Sequence, residues 1–484
     1  VEIISESGKH VYPGCWVLPG LVDSHCHLYG LGEKISGLRL YDAKSAGECI
    51  ERAILHNKKR GDWIIGMGWN QELWNNPVFP DASMLDEAFP DTPVYLSRAD
   101  GHAAWVNSEA MRRCGIHENT PQPEGGAILM NHGRPMGILI DNAMNLVNSF
   151  IPGLDDQGKK DRILSAAMEC IRMGITEIHD MDVHPILLPL FLEMAESGTL
   201  PIRVQSYVRA QNNEWLSYGC LPAIGEFMRI TGLKFFADGA LGSRGAALLE
   251  PYSDAPNTKG LFLINHNDLF EKAKLGLENG WSIATHAIGD AANRMVLDVY
   301  QQLRMEGHAD EDALLRIEHA QIVHPSDRER FRKYNVIAAV QPVHCISDAA
   351  TMAMARLGAE RSAYAYPWRS LRHYGLGLAG GSDFPIESGN PLLGIDAYCR
   401  RIPFNSSEPW FGDEKLTRQE ALLSYTLWAH EASGMGYRRG ILKPKYDADF
   451  TIMNRDIGSC PAEEISNTRI MATYTAGIRR YSAE

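Results

Sequence analysis

Eight short runs of apolar and β-branched residues, parted by stretches that read as amphipathic helices, restrict this chain to few architectures. They lie at 18–27, 175–180, 202–208, 233–237, 281–286, 315–319, 336–341 and 376–382. Strands alternating with helices build parallel sheets. Helical stretches at 161–173 and 267–278 end at or near Gly174 and Gly280, where glycine suits the position after the last turn. Eight such units of about 30 residues close a TIM barrel, and the intervals after the second run mostly keep that spacing.

The first interval does not. His27 and Ile175 are 148 positions apart, against about 30 for one unit. An insertion of about a hundred residues, at about 60–160, is therefore expected after the first strand. It has strand-like runs at 63–67 and 94–97 and a turn-rich stretch at 121–126. Loops at that end of a barrel strand build active sites, so the insertion is expected to line or cover the pocket. Beyond Gly434, residues 440–453 and 470–474 read as strands and turns, a small β layer that the first 16 residues would complete.

Composition narrows the partners. A net charge of −13 over 484 residues disfavours nucleic-acid or anionic-membrane surfaces, which need basic patches, and leaves neutral or cationic small molecules open. The nine cysteines are scattered without a Cys-x-x-Cys pair and read as reduced thiols, hence a cytoplasmic protein. No run of about 18 apolar residues is present to span a membrane.

Chemistry gathers at the strand ends. His25 and His27, two apart on an extended strand, share a face and form a two-pronged metal clamp. Lys234 lies in the fourth run, His286 ends the fifth, His319 ends the sixth and Asp383 follows the eighth. A barrel makes these positions converge. Each has a plainer reading: a strand-end histidine can be structural, Asp383 can cap a helix, and Lys234 can extend its ammonium out of a core of phenylalanines.

This set, with the segments 18–27, 100–108, 237–244, 286–290 and 381–385, resembles the metal-dependent amidohydrolase superfamily. The closer similarity is to its YtcJ-like, amidohydrolase-3 branch, related to N-substituted formamide deformylases. The resemblance implies an α/β fold: a distorted (β/α)8 barrel over 18–435, joined to a β-sandwich from 1–17 and 436–484. It also implies one or two divalent metal ions, zinc in most members, held by His25, His27, Lys234, His286, His319 and Asp383. Lys234 would be carboxylated, since burial and nearby positive charge lower a lysine's pKa and free its amine to take up carbon dioxide.

The expected reaction is hydrolysis of a non-peptide C–N bond in a small molecule by metal-activated water, with Asp383 as general base. His102, Trp69, Trp74, Gln341, His344 and Arg244 are the expected substrate contacts, Arg244 for a carboxylate. Homodimerisation stays open. A deaminase or esterase on the same scaffold and an inactive binding protein are the alternatives. A deaminase would place a catalytic glutamate near the strand-five or strand-six ligands, and Glu318, next to His319, is expected to point to the opposite face.

Overall fold

At Gly20 the first apolar run breaks in two. Residues Trp16–Pro19 pair with Phe450–Met453 in an antiparallel sheet, and Leu21–Cys26 enters the barrel. The break is steric. A Cβ at Gly20 would fall 2.1 Å from the Thr176 hydroxyl, so no side chain fits where the chain passes from one layer to the next.

The computed structural model describes residues 1–5, 8–56, 59–99, 101–348 and 352–483. The chain forms two compact units, one of residues 1–31 with 166–484 and one of residues 32–165. The inserted unit thus begins earlier than the hydrophobic pattern indicated. The short strand Leu38–Arg39 and the helix Ala46–His56 belong to it, because they pack with its own strands.

In the first unit eight parallel strands follow one another around a barrel: Leu21–Cys26, Ile175–Val183, Arg203–Arg209, Met228–Phe236, Ser282–Ala287, Leu315–His319, Val336–Val340 and Leu378–Gly380. Helices such as His266–Glu278 and Asp290–Met305 connect them. The barrel is nearly closed, and the last strand meets the first through the buried Asp23 carboxylate. Asp23 accepts the Ser382 backbone N–H at 3.0 Å and the Ser382 hydroxyl at 2.5 Å, while the Asp383 N–H donates to the His25 carbonyl at 2.7 Å. Gly381 makes this closure possible, since a Cβ there would sit 2.5 Å from the His25 nitrogen.

Both chain ends contribute to a four-stranded antiparallel sheet of Trp16–Pro19, Phe450–Met453, Ile470–Thr475 and Ile478–Ser482. A separate hairpin, Glu2–Ser5 with Gly8–Val11, accompanies it. Val1 and Ile3 pack on the same small core as Ile452, Ala472 and Tyr474.

The unit of residues 32–165 holds a six-stranded mixed sheet. One of its core clusters contains Trp69, Trp74, Trp105 and Leu96, and another contains Tyr95, Val106, Met111 and Leu139. Among the described residues no helix is long and apolar enough to cross a membrane.

Candidate metal centre and active site

Two histidines are aimed by what holds their far nitrogens. His25 Nδ1 lies 2.7 Å from the Glu318 carboxylate, and His27 Nδ1 lies 2.9 Å from the Met181 carbonyl. A carbonyl only accepts, as does an ionised carboxylate, so both Nδ1 atoms carry a proton, which makes Nε2 the lone-pair nitrogen of each ring in its neutral form. Those Nε2 atoms converge on Asp383 Oδ1, at 3.5 Å from His25 and 3.0 Å from His27.

Strand register supplies the next side chains. Lys234, Ala284 and Arg316 form one row across three strands, and Phe236, His286 and Glu318 form the next. Paired residues share a face, so both rows look into the barrel. Glu318 therefore faces the interior, contrary to the sequence expectation. Its neighbour His319 would face out, but φ of 73° at His319 and 40° at Ala320 breaks the alternation and turns the imidazole back over the barrel mouth. The His319 ring centre comes to 4.5 Å from that of His286 and 4.8 Å from that of His25.

Asp383 takes the same left-handed backbone, with φ of 60°. One ligand atom from each of His25, His319 and Asp383 lies within 4.8 Å of the others. These three, with His27, Lys234 and His286, line a cavity of about 440 Å³.

Below the ligands lies an ionic layer. Arg316, fully buried, donates to both Glu318 oxygens at 2.8 and 3.2 Å, to the Ser24 carbonyl at 2.8 Å, to His179 Nδ1 at 2.9 Å and to the Tyr207 hydroxyl at 3.1 Å. Burial opposes ionisation of Glu318, yet Arg316 and the His25 hydrogen bond hold its carboxyl far below the usual range.

Burial first, and then the Lys234 charge, push His25 down to about 4 and His286 down to about 3. His319 is held well below the usual imidazole range by burial and by the neighbouring His286 and His25. Burial lowers Lys234 as well, against the pull of Glu318 and Asp383. His27 moves the other way, because its contact with Asp383 outweighs burial. Neutral His25, His286 and His319 and a lysine inclined to lose its proton are the states in which such groups ligate, whereas the Asp383 contact favours the charged form of His27.

The donor set fits a divalent metal. Among the described residues Lys234 Nζ, His286 Nε2 and His319 Nδ1 are buried at the cavity without hydrogen-bond partners, an arrangement that native interiors avoid unless something else satisfies them. Compared with known families, residues 13–481 match the amidohydrolase family. The chain belongs to that family.

The putative amidohydrolase YtcJ of Bacillus subtilis is 33% identical over 92% of this amidohydrolase and 84% of its own length. Protein LONG AFTER FAR-RED 3 of Arabidopsis thaliana is 33% identical over 96% and 82%. The N-substituted formamide deformylase of Arthrobacter pascens is 26% identical over 99% and 90%. A metal-dependent hydrolase from Pyrococcus furiosus superposes with a TM-score of 0.76 at 29% identity, covering 92% of this chain and 88% of its own. The amidohydrolase is thus a hydrolase.

The residues expected to touch substrate scatter. His344 lines the cavity, stacked 6.1 Å from His319, with Nε2 3.8 Å from Asp383 Oδ2. Gln341 is buried at the end of the seventh strand, its amide 3.4 Å from the Ala339 carbonyl, outside the residues that line the cavity. Arg244 is turned to Asp254, at 3.2 and 3.0 Å, and not into the cavity, so it is not placed to meet a substrate carboxylate there.

Within the inserted unit Trp69 is wholly buried, its indole N–H donating to the Leu96 carbonyl, and Trp74 packs 6.1 Å from it. Trp69 is a packing residue, because the core that buries it leaves no surface for a ligand; Trp74, 8% exposed, lies in the same core. His102 is exposed and pairs with Asp141 at 2.8 Å; Asp100, in the same motif, lies outside the described residues.

Sequence reasoning missed three carboxylates and an amide. Asp23 closes the barrel. Asp238 accepts backbone N–H bonds from Ala247, Ile288 and Gly289 at 2.8–3.0 Å and stands 3.5 Å from His286 Nε2, so it fixes the loops around that ligand. Glu318 orients His25, and Gln321 lines the cavity. The signal for Glu318 was present: Arg316 and Glu318, two apart in an apolar run, must share a face and pair.

Proposed function

We propose that this amidohydrolase cleaves a non-peptide carbon–nitrogen bond, an N-formyl or other N-acyl amide, in a small molecule, with zinc at its metal site. One observation carries the reading. The Asp383 carboxylate has Oδ1 against the Nε2 atoms of His27 and His25 and Oδ2 turned toward His344, at the floor of a cavity. It can therefore touch both a water at the ligand set and a substrate above it. The deformylase name of the Arthrobacter pascens relative supports the same bond type.

Bound there, a divalent cation supplies Lewis acidity, which makes water a better nucleophile near neutral pH and polarises the carbonyl. Asp383 takes the proton of the attacking water as the carbon–oxygen bond forms. It returns that proton to the amide nitrogen as the carbon–nitrogen bond breaks, leaving a carboxylic acid and an amine. His344 Nε2 is placed to donate to the substrate. Lys234, as the neutral amine its burial favours, adds carbon dioxide with loss of a proton, and the carbamate offers anionic oxygens to the metal set.

A deaminase reading needs a free glutamate at the ligands. Glu318 does not serve, because it is 0% exposed and both its oxygens are taken by Arg316 and His25. The test is metal analysis of the purified chain, then a screen of the zinc-loaded protein on N-formyl, N-acyl and cyclic amides beside matched esters and aminoheterocycles. Turnover of amides with zinc bound is expected. Ring deamination or ester cleavage without amide cleavage overturns the reading.

A further inference from the structure

Part of the cavity lining is not employed by the hydrolytic chemistry. Its walls are apolar, with Leu241, Ile288, Met352 and Ile386, and three polar side chains interrupt them: Gln321, Asp348 and Glu387.

Gln321 is 3% exposed, and its side-chain Nε2 is buried without a hydrogen-bond partner among the described residues. The two left-handed residues before it set its course, and the Tyr366 N–H pins its carbonyl at 2.6 Å. A buried amide donor aimed into a cavity points to an acceptor on whatever fills it.

Among the described residues the two carboxylates have no lysine or arginine paired with them. Asp348 has only long contacts, 3.4 Å from the Tyr366 hydroxyl and 3.5 Å from that of Ser347. Among the described residues neither Asp348 nor Glu387 forms an ion pair with a lysine or arginine, while Asp254, nearby in sequence to the same wall, is paired with Arg244 and Arg356. Burial raises the Asp348 pKa, partly offset by His344, and the Glu387 charge raises it further, the mark of an anion short of positive partners. Among the described lining residues Lys234 is the only lysine, and none is an arginine. Such a wall repels a carboxylate and attracts a cation, and the chain's net charge of −13 acts in the same sense.

We propose that the substrate is an amide whose apolar body carries a cationic nitrogen, read by Asp348 and Glu387, and whose hydrogen-bond acceptor is read by the Gln321 amide. This deepens the amide reading and rests on it.

The experiment uses three N-formylbenzylamines of similar size, with aminomethyl, ethyl or carboxylate at the para position, on the zinc-loaded full chain. Expected is a kcat/KM about tenfold higher for the cation than for the neutral compound, lower again for the anion, and narrowing with added salt. In D348N/E387Q the cation-to-neutral ratio collapses toward one, a readout that a general loss of activity does not move. If that variant does not fold, E387Q alone is expected to lower the same ratio.

Binding of the three compounds to zinc-loaded D383N, by calorimetry, separates this inference from the one beneath it. If none is hydrolysed but the cation binds tightest, the amide reading falls and the charge preference stands. Equal or tighter binding of the neutral or anionic compound, no binding of any, or a ratio unchanged in the variants overturns the inference.

Discussion

Glu318→Gln tests the idea that an ionic layer beneath the ligands both holds the barrel together and aims His25. The carboxylate receives two bonds from Arg316 and one from His25, and all three residues are no more than 1% exposed. A glutamine has one accepting oxygen. Its NH₂ must then face either the guanidinium or the His25 Nδ1–H, donor against donor, and Arg316 keeps a buried charge without its counter-ion. Breaking a buried pair in this way costs about 3–5 kcal/mol. For a unit of about 350 residues, unfolding entropy of roughly 2.1 cal/mol/K per residue turns that into a Tm lower by about 4–7 °C.

The same change frees the His25 ring to rotate and take the other tautomer, which lowers metal affinity about 10–100-fold. Calorimetric melting of metal-free protein and competition with a chromogenic chelator read the two effects separately. Replacing both partners, as R316M/E318L, is expected to recover part of the Tm loss but not the metal affinity, because His25 still lacks its acceptor. A melting point within a degree of the parent's, together with unchanged metal affinity in E318Q, would refute the reasoning.

D383N is expected to keep bound metal while turnover falls by about 10²–10⁴-fold, measured as kcat on the best amide with metal content checked in parallel; full activity would exclude the proton-carrying role. In metal-free protein His25 and His286, lowered in the folded state from 6.5 to about 4 and about 3, bind protons first in the unfolded chain and so withdraw stability as pH falls below 6.5, while the buried carboxyls of Asp23, Asp180 and Asp238, raised from 3.8 to about 7, act in the opposite sense over the same range. The His286 share is read by difference: between about pH 7.5 and about pH 5 the Tm of the parent relative to that of H286N should fall. Gly20→Val should unfold the barrel at lower temperature, because its side chain would occupy the space of Thr176; an unchanged Tm would place the strand break elsewhere.

Chelation should abolish hydrolysis and lower Tm by an amount that grows with the logarithm of metal concentration over its Kd when metal is restored.

The local pattern along the chain already determined a good deal. Apolar runs that alternate with helices fixed eight barrel strands, since only hydrophobic runs of that length bury both faces of a parallel sheet. The ligand-type residues His25, His27, Lys234, His286, His319 and Asp383 were legible because a barrel brings its strand ends to one rim. The tertiary structure decided which way several side chains look. Strict alternation put Glu318 and His319 on opposite faces with only His319 inward; both look into the barrel, because the φ of 73° that turns His319 back leaves no trace in the sequence.

Contacts between distant strands were equally invisible. Glu318 meets His25 across 293 positions, and Asp23 meets Ser382 across 359. Trp69 and Arg244 looked like binding residues because their chemistry suits the task; their neighbours, the Leu96 carbonyl and Asp254, commit them to packing and pairing. Gln321 gave no signal at all, for a buried amide becomes informative only when the space around it shows that no described residue satisfies it. Sequence supplied the ligand types, through periodicity that is local. Their aim, charge and unmet hydrogen bonds depend on groups that only the closed barrel brings within a few ångströms.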